Sequence, residues 1–112
     1  MAKRKKKRYD AVIIGAGQAG IPLALALADQ DWKVALIVER LVGGNCINYA
    51  CTPTKAMLSN AHLNHLITKE AEKYGVQVSN SDLDYKQVMR RKNEIVNNFR
   101  EKLINKLESH KK

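Results

Sequence analysis

At 112 residues and a formal net charge of +9, the chain has room for one small domain and no more. With 45% hydrophobic residues and only 5% aromatic ones, an aliphatic core is expected. No apolar run reaches the ~18–20 residues of a membrane span, and Tyr9-Asp10 with the Gly-rich stretch after it interrupts any signal-peptide pattern, so a soluble, cytoplasmic protein away from membranes is expected.

The charge is uneven. Lys3, Arg4, Lys5, Lys6, Lys7 and Arg8 carry most of the excess, so residues 1–8 read as a disordered basic tail ahead of a domain at 9–112. Such a run is ordinarily a solvated segment. Attraction to nucleic acid, to an acidic surface or to the nuclear import machinery is the sharper alternative, and nucleic acid is not the expected partner.

Ala11-Val12-Ile13-Ile14 is a short β-branched run and predicts a strand buried on both faces. It leads into Gly15-Ala16-Gly17-Gln18-Ala19-Gly20, a G-x-G-x-x-G. Ile21 to Ala28 is helical in composition, with Pro22 early enough to be tolerated. Asp29-Gln30-Asp31 closes that helix, residues 33–38 predict a second buried strand, and Glu39 follows at once.

Strand, glycine turn, helix, strand and acid, in this order, form a dinucleotide-binding fingerprint. Gly15 makes the tight turn, Gly17 lets a pyrophosphate approach the backbone, and Gly20 permits close helix–strand packing. The helix N-terminus offers free N–H groups and positive potential, and Glu39 can accept hydrogen bonds from ribose hydroxyls. The plainer reading, a glycine turn beside an incidental acid, does not explain the ordering.

Cys46 and Cys51 are the only two cysteines, set between Gly43-Gly44 and Pro53-Thr54-Lys55. In a regular helix this spacing puts the Cα atoms ~8–9 Å apart, whereas a disulfide needs about 7 Å or less. If the two pair, one of them lies in a bent or non-helical turn. In a reducing compartment such a pair suits redox chemistry or metal binding better than a structural bridge. Two buried, inert thiols are the bland alternative. Cys46, Cys51, His62 and His65 do not have zinc-finger spacing, so no metal site is expected, although a thiol pair suits a soft ion.

A helix is predicted from Thr52 as cap and Pro53 as first residue to about Tyr74, an earlier start near Cys46 with a distorted turn being equally compatible. Gly75 stands where a C-terminal glycine belongs. Residues 75–79 predict a short strand. From Tyr85 a long helix is expected, with Val88, Ile95, Phe99, Leu103 and Leu107 at helical spacing and its basic residues largely elsewhere.

Gly43-Gly44-x-Cys46-x-Asn48-x-x-Cys51-x-Pro53-Thr54-Lys55 resembles the active-site signature of the class I pyridine nucleotide–disulfide oxidoreductases, with Asn45 in place of the usual Thr and Ala50 in place of the usual Gly. Gly17-Gln18-Ala19-Gly20 with Pro22-Leu23-Ala24 looks most like the mercuric-reductase-like branch, whose relatives include dihydrolipoamide dehydrogenase and glutathione reductase. The resemblance implies an α/β fold: a partial Rossmann-like FAD-binding βαβ unit, a redox-disulfide helix and a long C-terminal helix, together an incomplete domain. It implies that Cys46 is the interchange thiol, that Cys51 lies against the flavin, and that Lys55 is similar to the lysine near flavin N5. The FAD-binding residues it implies are Gly15, Ala16, Gly17, Gln18, Ala19, Gly20, Glu39, Arg40, Gly44 and Asn45.

Electrons would pass from NAD(P)H through FAD to a Cys46–Cys51 disulfide and on to a mercuric ion or a disulfide. Family enzymes are longer homodimers with nicotinamide-binding and dimerisation domains, and nothing after Lys112 matches these. The expectation is therefore the N-terminal piece of a flavoenzyme, or half of a split one, inactive alone. The alternative is a small non-enzymatic thiol protein that binds soft metal, or a basic adaptor.

Overall fold

The computed structural model describes residues 6–110. The expected basic tail falls largely outside them; Lys6, Lys7 and Arg8 are exposed and carry no regular structure.

Strands β1 (Ala11–Ile14) and β2 (Val34–Ile37) pair in parallel, Ala11 opposite Val34 and Ile14 opposite Ile37. Parallel neighbours require a crossover, and helix α1 (Gly20–Asp29) supplies it. Pro22 falls in the first turn, where N–H groups have no intrahelical acceptor. At its far end, Asp31 N–H donates to Ala28 O and Trp32 N–H to Leu27 O, both at 3.1 Å. Asp31 takes the left-handed position at φ 63°, a conformation Asp tolerates better than most residues.

The sheet departs from expectation on one side. α1 packs over the face carrying Ile13 and Leu36, while Val12, Ile14 and Ile37 on the other face stay exposed, Ile14 at 86%. Among the described residues no second layer covers that face.

Helices α2 (Gly44–Asn48) and α3 (Cys51–His65) follow, separated by a break at Tyr49-Ala50. The earlier of the two compatible helix starts is therefore the one adopted, with a distortion at Tyr49-Ala50. Thr52 lies inside α3 instead of capping it. α3 widens into a π-helical turn at Leu66–Glu70, then tightens into a 3-10 turn at Ala71–Tyr74. Gly75 ends the run at φ 75°, the left-handed stop its position predicts.

The short strand expected at 75–79 does not form. No strand edge lies beside it among the described residues, and Val76 N–H instead donates to Ala71 O at 3.0 Å, closing the helix end. Helix α4 (Tyr85–Glu108) starts at Asp84, whose Oδ1 accepts from Gln87 N–H at 3.0 Å. α4 lies along α3 and touches α2. Its inward stripe includes Val88, Ile95, Leu103 and Leu107 as expected, together with Met89, Val96 and Ile104; Phe99 is half exposed.

Two small cores result: Ala16, Ile21, Ala24 and Ala28 beneath α1, and Ile47, Ala56 and Val96 where α2, α3 and α4 meet. The radius of gyration is 21.2 Å, against roughly 13 Å for a compact chain of this length. The molecule is long and thin, 72 × 33 × 19 Å.

Candidate functional site

Gly15 takes φ 106° and donates its N–H to Ile37 O at 2.8 Å, so the turn leaves β1 while still tied to β2. A Cβ on Gly20 would overlap the Gly15 carbonyl oxygen, which is the close helix–strand contact expected of this glycine. The N–H groups of Gly17, Gln18, Ala19 and Gly20 find no acceptor among the described residues. Four free donors at the start of a ten-residue helix fit the diphosphate of a dinucleotide.

The glycine turn is also the seat of the cysteine segment. Gly43 N–H donates to Ala16 O at 2.7 Å. Gly44, at φ 64°, lies so near Gly17 that a Cβ on Gly44 would come within 2.8 Å of the Gly17 Cα. A Cβ on Gly17 would meet only the Gly44 Cα, at an ordinary 3.7 Å. Within the protein itself, the steric constraint of this contact falls on Gly44.

Ala16, Glu39, Arg40, Gly44 and Asn45 line one cleft of about 310 Å³ with Val38, Leu41, Asn48 and Tyr49. Glu39 and Arg40 are both exposed and face each other at 3.7 Å. Gly15, Gly17 and Gly20 shape the backbone beside this cleft, and Gln18 and Ala19 are exposed outside its lining.

The two thiols lie elsewhere. Cys46 sits in the middle of α2 and Cys51 opens α3, with Tyr49 N–H and Ala50 N–H both donating to Asn45 O at 2.9 Å across the break. Ala50 is at φ −123°, outside the left-handed region that would demand the usual glycine. Both cysteines are free. With Lys55 they line a second cleft of about 390 Å³ between α3 and α4, completed by Thr52, Ala56, Ser59, Arg91, Ile95 and Phe99. The expected residues therefore divide between two clefts that adjoin α2.

A hydrogen bond with the Cys51 side chain holds the Cys46 thiol above its ordinary pKa, with burial and the like charge of a Cys51 thiolate acting in the same direction. The Cys51 backbone N–H and the Lys55 charge pull the other way and are outweighed. Lys55 thus favours the thiolate, and the neighbouring thiol overrides it.

Asn48 belongs to the motif, but nothing in the motif assigns its side chain a role. It is buried, its Nδ2 donates to Val42 O at 3.0 Å and Gly44 O at 2.8 Å, and its Oδ1 accepts from Arg100 Nη1 at 2.9 Å. Arg100 Nη2 also donates to Asn97 Oδ1 at 2.6 Å. A polar residue inside a short apolar turn was the available signal; nothing local marked Arg100. Among the described residues no group of three or more His, Cys, Asp or Glu side chains could hold a metal ion, and no helix is long and apolar enough to cross a membrane.

A βαβ crossover with a free-donor glycine turn is thus followed directly by two helices that carry the pair of thiols. The family model for pyridine nucleotide-disulphide oxidoreductases matches residues 9–111, and the chain belongs to that family. It is 36% identical over 106 residues to a dihydrolipoyl dehydrogenase of Chlamydia pneumoniae, covering 94% of this chain and 23% of the relative. To a mercuric reductase of Bacillus cereus it is 35% identical over 103 residues, covering 91% and 16%. The HOCl-induced flavoprotein disulfide reductase RclA from Escherichia coli, solved as a Cu(II) complex, superposes with a TM-score of 0.75 at 35% identity, covering 95% of this chain and 20% of that one. The chain thus spans about a quarter or less of these proteins, and its similarity to the first two is nearly equal.

Proposed function

We propose that residues 9–112 supply the FAD-binding unit and the exchanging thiol pair of a flavin-dependent disulfide oxidoreductase, fed by NAD(P)H and delivering electrons through Cys46 to a disulfide or a mercuric ion. The observation that carries the reading is the docking of the cysteine segment on the glycine turn, through the Gly43–Ala16 hydrogen bond of 2.7 Å and the Gly44–Gly17 contact. These two backbone contacts tie the proposed diphosphate cradle to α2, which bears Cys46 and leads into Cys51.

FAD, when bound, supplies two-electron exchange between a reduced nicotinamide and a thiol pair. The protein's part is to hold and orient. The free N–H groups of Gly17 to Gly20 take the diphosphate, and Glu39 accepts from ribose hydroxyls with Arg40 beside it. Cys46 attacks one sulfur of a disulfide substrate and expels the first thiolate, and Cys51 then gives up its proton and attacks the Cys46 sulfur, expelling the second, while Lys55 offsets the charge of the thiolate. The working protein is a cytoplasmic homodimer; this chain alone holds FAD weakly and turns nothing over.

Titration of the chain with FAD, followed by quenching of flavin fluorescence, tests the cradle. Gly17→Ala is the variant of choice, because its methyl enters the turn at an ordinary contact distance and leaves the fold intact. Weak saturable binding by the wild-type chain, weakened at least severalfold by Gly17→Ala, is expected. Equal binding by both, or none by the wild type at about millimolar FAD, would refute the reading.

A further inference from the structure

The end of the sheet away from the glycine turn carries side chains that neither motif uses. Asp10 N–H donates to Lys33 O, and Lys33 N–H donates to Asp10 Oδ2, both at 2.8 Å, so the two strand starts are tied together. The parallel register, carried back from Ala11 opposite Val34, sets Tyr9 and Trp32 at neighbouring positions just outside the strands. Both rings are exposed, Tyr9 at 41% and Trp32 at 45%. Lys33 Nζ stands 5.6 Å from the centroid of the Tyr9 ring. Lys6, Lys7 and Arg8, all exposed, lead directly into Tyr9, and Lys3, Arg4 and Lys5 precede them in sequence.

These cations outnumber the acids at the same end, Asp10, Asp29 and Asp31. Asp10 already holds the Lys33 N–H, and Asp29 holds His110. A basic run alone reads as a solvated tail, which is why the sequence gives no expectation of nucleic acid. The fold adds two aromatic faces and a further cation beside that run.

We propose that this end of the molecule binds single-stranded nucleic acid, with the basic run and Lys33 on phosphates and bases stacked on Trp32 and Tyr9. Phosphate attraction needs no sequence, and every base offers a face to an aromatic ring. In a duplex those faces are already covered by neighbouring bases, so single strands are preferred. An anionic membrane suits a basic segment backed by an apolar face. Strand alternation puts the exposed Val12, Ile14 and Ile37 on the opposite face of the sheet from Tyr9 and Trp32. The glycine turn lies at the other end of β1, about 13 Å away for a four-residue strand, so this site does not rest on the flavin reading.

The test uses the 112-residue chain and a labelled oligothymidylate of about 20 nucleotides, with anisotropy reporting binding. Trp32 is the only tryptophan, so its own emission reports stacking. A dissociation constant of about 1–100 μM near 0.1 M salt is expected, with Trp32 quenched on binding. Affinity should fall with salt at a logarithmic slope of about −2 to −4, as three to six phosphate contacts give. Lys3→Gln, Arg4→Gln, Lys5→Gln, Lys6→Gln, Lys7→Gln and Arg8→Gln together should flatten that slope to about −1. Trp32→Leu should weaken binding about fivefold or more at an unchanged slope, whereas Trp32→Phe keeps most of it. Tyr9→Leu repeats the measurement outside any regular element, so it stands even where Trp32→Leu disturbs the turn after α1. Binding to the matching duplex or to polyphosphate, which has charge and no bases, should be weaker. Equal affinity for either, Trp32 emission unmoved by the oligonucleotide, or full affinity in both Leu variants overturns the proposal. Tighter binding to phosphatidylserine vesicles overturns it as well and assigns the end to a membrane surface.

Discussion

Replacing Gly44 by Ala tests the joint between the two halves of the site. At φ 64° an L-residue pays about 1–2 kcal/mol for the left-handed conformation. The added Cβ would also lie 2.8 Å from the Gly17 Cα, a backbone atom that no rotamer change can move aside. Overlap of that kind costs about 1–3 kcal/mol, so the sum is about 2–5 kcal/mol. Separating the segments would stretch the adjacent Gly43–Ala16 hydrogen bond of 2.7 Å. In urea unfolding followed by circular dichroism, a slope near 1 kcal/mol per molar turns this into a midpoint lowered by about 2 M or more. Gly44→Asn separates the two causes, because Asn tolerates the left-handed region yet keeps the Cβ. Recovery of about 1 kcal/mol in Asn over Ala is expected, with the remaining loss due to overlap. A Gly44→Ala chain within about 0.5 kcal/mol of wild type would refute the reasoning, since that is the range of an unconstrained surface site.

Arg100→Met removes the donor to a buried Asn48 oxygen and should cost about 1–3 kcal/mol, less in an Asn48→Ala background; a double-mutant cycle in urea measures the difference. Asp84→Ala removes the N-cap of α4 and should cost about 1 kcal/mol, read from the thermal midpoint. Because the Cys51 hydrogen bond holds the Cys46 pKa up, alkylation of Cys46 by iodoacetamide should rise with pH later than for an ordinary thiol. Cys51→Ala should move that rise to lower pH, and no movement would remove the stated cause.

The βαβ unit was legible because each of its signals is local. Ala11–Ile14 and Val34–Ile37 are apolar runs bounded by turn residues, and the glycine spacing dictates the turn between them. The helix end at Gly75 was legible for the same reason. Sequence misplaced what depends on distant partners. The valines at 76 and 78 look like strand, but strand needs an edge to pair with, and the chain closes the α3 run instead. The apolar outer face of the sheet reads as buried in sequence because periodicity reports what a residue prefers and not what arrives to cover it. The cysteine motif named Cys46, Cys51 and Lys55, yet Arg91 and Phe99 reach their cleft only because α4 folds back along α3. Arg100 meets Asn48 across 52 positions of sequence, a separation no local pattern records.

The return of α4 has a consequence for the order in which the chain assembles. During synthesis the strands, α1 and the thiol-bearing turn leave the ribosome before α4, the two strands pairing across 23 positions of sequence. α4 follows, and near its end His110 Nε2 reaches Asp29 Oδ1 at 3.0 Å. Until it docks, both sulfurs stand open to cellular oxidants without Arg91, Ile95 or Phe99 alongside. Cys51 remains exposed after α4 has docked, so the late helix changes the side chains that stand beside the sulfurs and does not close them off from solvent.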